Sequence, residues 1–407
     1  MDETHKITGG VCAPKGFKAS GTHCGLCSDK NKKDIALIVS EKTAVCAAVY
    51  TRNKVRAAPL ELTRENLKNG SARAIICNSR NANACVPDGY EKALSVCRLT
   101  ANALGVSETD IVVASTGVIG KSLDIKPFQE NIGKLVGALS ENGGSDAADA
   151  IMTTDTIRKE SAVSFFLDGV EVKIGAAAKG SGMIHPDMAT MLAFITTDAD
   201  ISDIMLSKAL KRAVRVTFNM ISVDRDTSTN DMAVLMANRL AENTPINKEG
   251  RAFDQFADAL TRVCVQLARM IAADGEGATK LLECRVSGAA SEEDARKLAR
   301  SVVSSNLVKT AMFGADANWG RILCALGYSG AEFDPLKTDI SFTSNAGAID
   351  VCKNGVEIDV DEKKAKGILL EKEVQIAVNA RQGRFSAVAF GCDLTYDYVR
   401  INGDYRT

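Results

Sequence analysis

The sequence predicts an α+β fold with several sheets. Short runs rich in Val, Ile and Ala alternate with helix-like stretches through the first third. Two apolar stripes at helical spacing follow one another between Leu206 and Ile271, and the C-terminal quarter returns to strands.

In order, DIALIVS (34–40), TAVCAAVYT (43–51), SARAIIC (71–77) and DIVVAS (110–115) read as buried strands. Between them, Leu94, Cys97, Ala101 and Leu104 fall three and four apart, a helix face that Gly105 can end. AVSFFL (162–167) and VEVKIG (170–175) flank Asp168-Gly169, a strong hairpin signal. The irregular stretch KGSGMIHPDMAT precedes an apolar strand, MLAFITT (191–197). Leu206, Leu210, Val214 and Phe218 mark one helix. Phe253, Phe256, Leu260, Cys264, Leu267 and Ile271 mark a second, stopped at Asp274-Gly275. Ser291 with Asp294 forms a capping box for a helix through Val303, and VQIAVNA (374–380) and FSAVAFG (385–391) close the chain as strands. No internal repeat or long linker interrupts this order.

Composition narrows the function. The 407 residues are 45% hydrophobic and 25% charged, the mix of a globular chain with a full core. Fifty Lys and Arg against 51 Asp and Glu leave a net charge of −1, which argues against a nucleic-acid or anionic-membrane binder. Aromatics at 5% make base-stacking platforms improbable. No apolar run is long enough for a transmembrane helix. The acidic start, MDETHKITGG, lacks the pattern of a signal or transit peptide, so a cytoplasmic location is expected. The twelve cysteines are irregularly spaced and read as buried free thiols. Only three histidines occur, His5, His23 and His185, so a catalytic base is expected elsewhere.

Three stretches carry candidate chemistry. Ser115 to Ser122 ends in Gly-Lys-Ser after a strand but has Ser115 where a P-loop needs glycine, and Pro127 interrupts the helix that should follow. As a polar, Gly-containing loop at a strand end, it can still offer backbone N–H groups to some other group. Cys24-Gly-Leu-Cys27 has no second ligand pair and no thioredoxin-like context, so ordinary thiols are expected and no metal site. KGSGMIHPDMATML (179–192) reads either as a plain loop before a strand or as a self-cleaving segment. In the second case the Thr190 hydroxyl attacks the preceding carbonyl, and hydrolysis of the ester frees an N-terminal Thr. Its α-amine, with a pKa of about 7.7–8.0, then serves as general base without a histidine.

These stretches, together with MTTDT (152–156), DTSTND (226–231), DGEGATK (274–280), NWGRI (318–322) and GCDLTYDYVRINGDYRT (391–407), closely resemble the bifunctional glutamate/ornithine N-acetyltransferase family of arginine biosynthesis, from about Gly16 to Thr407. The resemblance implies an α/β/β/α layered core with a smaller C-terminal α/β region. It also implies cleavage between Ala189 and Thr190 into chains 1–189 and 190–407, which associate as α2β2. Thr190 would be the nucleophile, Thr116 and Gly117 the oxyanion-stabilising pair, and Glu276 a further catalytic group. Substrate contacts carry over to Thr153, Lys179, Thr190, Glu276, Asn402 and Thr407. The implied reaction is a ping-pong transfer of acetyl from N2-acetylornithine to glutamate. It needs no cofactor, and acetyl-CoA is a second donor in many relatives.

This chain departs from the family at Arg80 and Arg225, where glycine is usual, and around Cys24 and Cys27. Glycine often marks positive φ or close approach, so both arginines bear on the loops near substrate. A monofunctional transferase without acetyl-CoA use and an N-terminal-nucleophile aminopeptidase or amidase are the alternatives. The DGEGATK and C-terminal segments favour the transferase.

Overall fold

A computed structural model describes residues 4–185 and 191–404. Ala189, Thr190 and Thr407 lie outside the described residues.

Two mixed sheets with helices make an α+β fold. The larger sheet runs His5–Ile7, Lys159–Leu167, Val170–Lys179, Leu192–Thr197, Met232–Ala237, Ile35–Tyr50, Ser71–Asn78 and Ile111–Ser115, with Phe17–Thr22 pairing Ile35–Tyr50 off this path. Its middle strands, LAFITT and MAVLMA, are buried at every position, as expected of a parallel pair covered on both faces. Alternation divides their side chains between two cores. Ala193, Ile195, Ala233 and Leu235 pack toward helices Asp203–Val216 and Arg251–Ala273; Leu192, Phe194, Met232 and Val234 face the opposite core. The smaller sheet contains Leu281–Ala289, Asp339–Ser344, Gly347–Lys353, Glu373–Asn379 and Phe385–Cys392, covered by helix Glu292–Ser304 and its neighbours.

Most expected elements are present, with two corrections. The strands at 34–40 and 43–51 are one strand, Ile35–Tyr50. Exposed Glu41 and Lys42 look like a break in sequence, but there the pairing register with Ser71–Asn78 merely shifts. The first apolar-stripe helix ends at Val216 rather than reaching Phe218, which lies in a following 3₁₀ turn. Ser291 caps Glu292–Ser304 as expected, its Oγ accepting from the Asp294 N–H at 3.0 Å. Among the described residues no helix is long and apolar enough to cross a membrane.

Sheet register builds the candidate site. Lys179 at the end of its strand pairs with Leu192 at the start of the next, Leu192 with Met232, and Met232 with Tyr50. One end of these strands therefore gathers the KGSG segment, the start of MLAFITT and the end of DTSTND.

Candidate active site

At that end, Thr116, Gly117, Thr153, Lys179, Ser228 and Glu276 line one cleft. Five of these six were singled out from sequence; Ser228 was quoted there only as part of DTSTND. Asn402 joins them from the last helix, Tyr396–Asp404, where its Nδ2 donates to Glu276 Oε2 at 2.8 Å.

The loop after Ile111–Ser115 is held by asparagines. Asn78 Nδ2 donates to the carbonyls of Ser79 and Asn81, and Asn81 Nδ2 to that of Lys121 at 3.0 Å. Asn230 Nδ2 donates to the carbonyls of Ala82 and Ser115. The backbone N–H of Thr116 is already spent on Asn78 O at 2.9 Å. Its hydroxyl instead receives a hydrogen bond from Lys179 Nζ at 3.2 Å. Gly117 has φ 133°, and a Cβ there would lie 2.2 Å from the Arg80 carbonyl carbon. Only glycine fits this conformation beside the neighbouring strand end. As for the P-loop comparison, the helix here begins only at Lys126, with Pro127 in its first turn, so none opens at Lys121.

Beneath the cleft lies a charged cluster that sequence reading missed. Lys159, with no exposed side-chain surface, lies 2.7 Å from Asp155 Oδ1 and 2.5 Å from Asp274 Oδ2. Asp155 also accepts the N–H groups of Thr153 and Gly180, at 3.0 and 2.7 Å. Asp274 takes the Thr156 N–H at 3.0 Å and the Thr156 hydroxyl, while its own carbonyl accepts from Ser181 Oγ at 2.7 Å. Three separated segments, MTTDT, KGSG and DGEG, are thereby pinned to one buried ammonium. Burial raises the Asp155 carboxyl, but Lys159 and then Lys179 outweigh it and bring it down to about 2.

Asp224 is a second group the sequence did not single out. Its carboxylate accepts the N–H groups of Met183 and Ile184, at 2.6 and 2.8 Å, and fixes the backbone that leads toward residue 190. Nearby, burial pushes the Asp231 carboxyl well above the usual range, against the opposing pull of Lys179. Neither aspartate had a telling spacing, since each acts through contacts that only folding creates.

Arg80 and Arg225 both adopt positive φ, 76° and 71°, the conformation expected where the family carries glycine. Arg80 Nη1 reaches the Thr153 carbonyl at 3.3 Å. The Cys24–Cys27 stretch wraps a buried carboxylate: Asp34 accepts the N–H groups of Cys24, Gly25 and Cys27 at 2.6, 3.3 and 2.7 Å. Burial and then Asp34 push the Cys24 thiol up, away from a reactive thiolate.

The ArgJ family model matches residues 18–407. Arginine biosynthesis bifunctional protein ArgJ 1 of Clostridium acetobutylicum is 52% identical, with 96% of each chain covered. A glutamate N-acetyltransferase of Methanocaldococcus jannaschii is 47% identical over 98% of this chain and 99% of its own. The solved arginine biosynthesis bifunctional protein ArgJ of Bacillus halodurans is 48% identical with a TM-score of 0.50; the match covers 98% of that chain but 52% of this one.

Proposed function

Because this chain belongs to the ArgJ family, we propose that it is a ping-pong acetyltransferase of arginine biosynthesis, active in the cytoplasm on N2-acetylornithine and glutamate. The observation that carries this reading is the single cleft uniting Thr116, Gly117, Thr153, Lys179 and Glu276 at the end of the sheet where the strand after residue 190 begins.

In the first stage the Thr190 hydroxyl attacks the Ala189 carbonyl, and hydrolysis of the resulting ester leaves Thr190 as a new N-terminus. Strands Leu192–Thr197 and Met232–Ala237, both beyond the cut, are hydrogen-bonded between Val170–Lys179 and Ile35–Tyr50, both before it. The two chains therefore share one sheet and remain associated, with α2β2 the assembly expected for them. The proportion of the B. halodurans match, nearly all of that chain but about half of this one, suits a protein split near its middle.

In the second stage the Thr190 α-amine takes the proton from its own hydroxyl, which attacks the acetyl carbonyl of N2-acetylornithine. The tetrahedral oxyanion is met by the Thr116 hydroxyl and the Gly117 N–H, with the Lys179 ammonium adding positive charge beside Thr116. Collapse expels the ornithine α-amine, protonated as it leaves, and acetyl stays on Thr190 as an ester. Glutamate enters the vacated position, its amine attacks the ester, and N-acetylglutamate departs. Glu276, oriented by Asn402, contacts the amino group of each amino acid, and Thr153 and the C-terminal Thr407 complete the substrate contacts. Acetyl-CoA acylating the same Thr190 makes the enzyme bifunctional.

The test is a denatured intact-mass spectrum taken after incubation with N2-acetylornithine. Two chains split between Ala189 and Thr190, with one acetyl on the fragment beginning at Thr190, are expected. Thr190→Ala should leave one unacetylated full-length chain. A processed and active Thr190→Ala protein would refute the reading.

A further inference from the structure

Arg80 stands where the family usually carries glycine, and its φ of 76° is a conformation that glycine adopts freely and arginine only at a cost. A side chain retained on a strained backbone position beside an active site points to a use for that side chain.

The surrounding loops leave Arg80 little freedom. Its carbonyl accepts the Val118 N–H at 3.2 Å, and its backbone lies against Gly117, where a Cβ would come within 2.2 Å of the Arg80 carbonyl carbon. At the other end of the side chain, Nη1 donates to the Thr153 carbonyl at 3.3 Å. Gly117 and Thr153 both line the active-site cleft. The side chain therefore starts beside one cleft residue and ends beside another.

The guanidinium at that end is short of partners. Nε is buried without a hydrogen-bond partner, and among the described residues no carboxylate pairs with Arg80. By contrast, Arg158, Arg212, Arg269 and Arg381 each pair with an Asp or Glu. A guanidinium presents a planar fork that matches a carboxylate, and a lone carbonyl occupies little of it.

The two amino acids of the proposed reaction differ in charge at the far end of the side chain. N2-acetylornithine, and the ornithine it leaves behind, carry an ammonium there; glutamate carries a carboxylate. Among the described residues that line the cleft, the charged ones are Lys179 and Glu276. Lys179 is turned to the Thr116 hydroxyl and Glu276 is held by Asn402. Arg80 brings a third charge, uncommitted to any carboxylate of the protein.

We propose that Arg80 is a specificity-determining residue, whose guanidinium reads the side-chain carboxylate of glutamate and disfavours the side-chain ammonium of ornithine and N2-acetylornithine. The inference rests on the transferase reading above and adds the residue that tells its two amino acids apart. A fixed cation at this place weights the exchange of ornithine for glutamate between the two half-reactions.

Glutamate and ornithine are each titrated calorimetrically into the full-length protein as purified and into Arg80→Gln, Arg80→Gly and Arg80→Lys variants. Glutamine keeps an unbranched stem without the charge, glycine relieves the strain at φ 76°, and lysine keeps the charge. In the two neutral variants the ratio of the glutamate Kd to the ornithine Kd should rise about fivefold, through loss of one charge-assisted contact at a half-buried site. Any loosening of the Thr153 loop weakens both ligands and cancels from the ratio. Lysine should hold the ratio within about twofold of the unaltered value, since it retains the charge if not the fork. Absent glutamate binding, an unchanged ratio in the neutral variants, or an equal rise in Arg80→Lys overturns the proposal. Acetyl transfer is read separately. A glutamate preference that depends on Arg80 without transfer would refute the transferase reading and uphold this role. Transfer with an unchanged ratio would do the reverse.

Discussion

Asn402 donates from Nδ2 to Glu276 Oε2 at 2.8 Å, joining the last helix to a loop 126 residues earlier. Adjacent bonds hold the same junction: Thr395 Oγ1 donates to the Gly277 carbonyl at 2.6 Å, and the Thr279 N–H donates to Asp393 at 2.8 Å. The carboxylate is thus aimed into the cleft by a residue exposed on the protein surface. Asn402→Ala should raise the KM for glutamate and N2-acetylornithine by about three- to tenfold, because an exposed hydrogen bond to a charged group contributes modestly. Unfolding midpoints should barely move. Glu276→Ala should lose transfer more severely while the precursor still folds, and normal kinetics in that variant would remove its proposed role.

Gly117→Ala tests the oxyanion position. The added Cβ at φ 133° would lie 2.2 Å from the Arg80 carbonyl carbon and 2.5 Å from the Asn81 nitrogen, so backbone rather than a flexible side chain must give way. Losing one preorganised donor costs about 2.7–4 kcal/mol of barrier, a fall in kcat of roughly a hundredfold or more. Single-turnover acetylation of Thr190, followed by mass, measures this without the second half-reaction. An unimpaired rate would mean that the Gly117 N–H faces no developing charge.

Legibility of this chain from sequence followed pattern length. The 23-residue helix Arg251–Ala273 was plain because its apolar stripe repeats through six turns, and the Asp168-Gly169 hairpin because its turn chemistry is local. Met232–Ala237 was missed: six residues buried on both faces show no period that separates strand from helix. At the site, Thr116 follows a strand that the sequence suggested, and Lys179 ends one that runs four residues past its expected end at Gly175; only the family resemblance assigned them roles. Lys159 and Asp274 are 115 residues apart, and no spacing rule joins them. The Asp224 carboxylate likewise acquires meaning only when residues 183 and 184 fold against it.

Arg80→Gly probes a substitution particular to this chain. Arg80 holds φ 76° at some conformational cost and reaches the Thr153 carbonyl at 3.3 Å. Glycine removes the strain but adds entropy to the unfolded chain, so stability should change by less than about 1 kcal/mol. The untethered Thr153 loop should instead raise the KM for amino-acid substrates severalfold at nearly constant kcat. Denaturant unfolding together with steady-state kinetics distinguishes the two effects; a large loss of stability with unchanged KM would show that Arg80 serves the fold rather than the loop.

Asp155→Asn addresses the buried cluster through its pH dependence. The folded carboxyl titrates at about 2, below its ordinary value of 3.8, because Lys159 and Lys179 outweigh burial. A group whose folded pKa is depressed stabilises the protein above its unfolded pKa, and that contribution is lost as pH falls through the folded value. For Asp155 the window runs from about pH 4 down to about pH 2, with a contribution on the order of 2 kcal/mol. Asparagine removes the titration and leaves Lys159 with Asp274 as its remaining carboxylate. Stability at pH 7 should drop by about 3 kcal/mol, and the acid limb should become shallower than that of the unaltered protein. Urea unfolding at intervals between pH 2 and pH 7 measures both. The kcat should fall as well, since the Thr153 and Gly180 N–H groups lose a charged acceptor that sets the cleft's shape. Identical acid limbs in the two proteins would show that Asp155 does not titrate as the Lys159 contact requires.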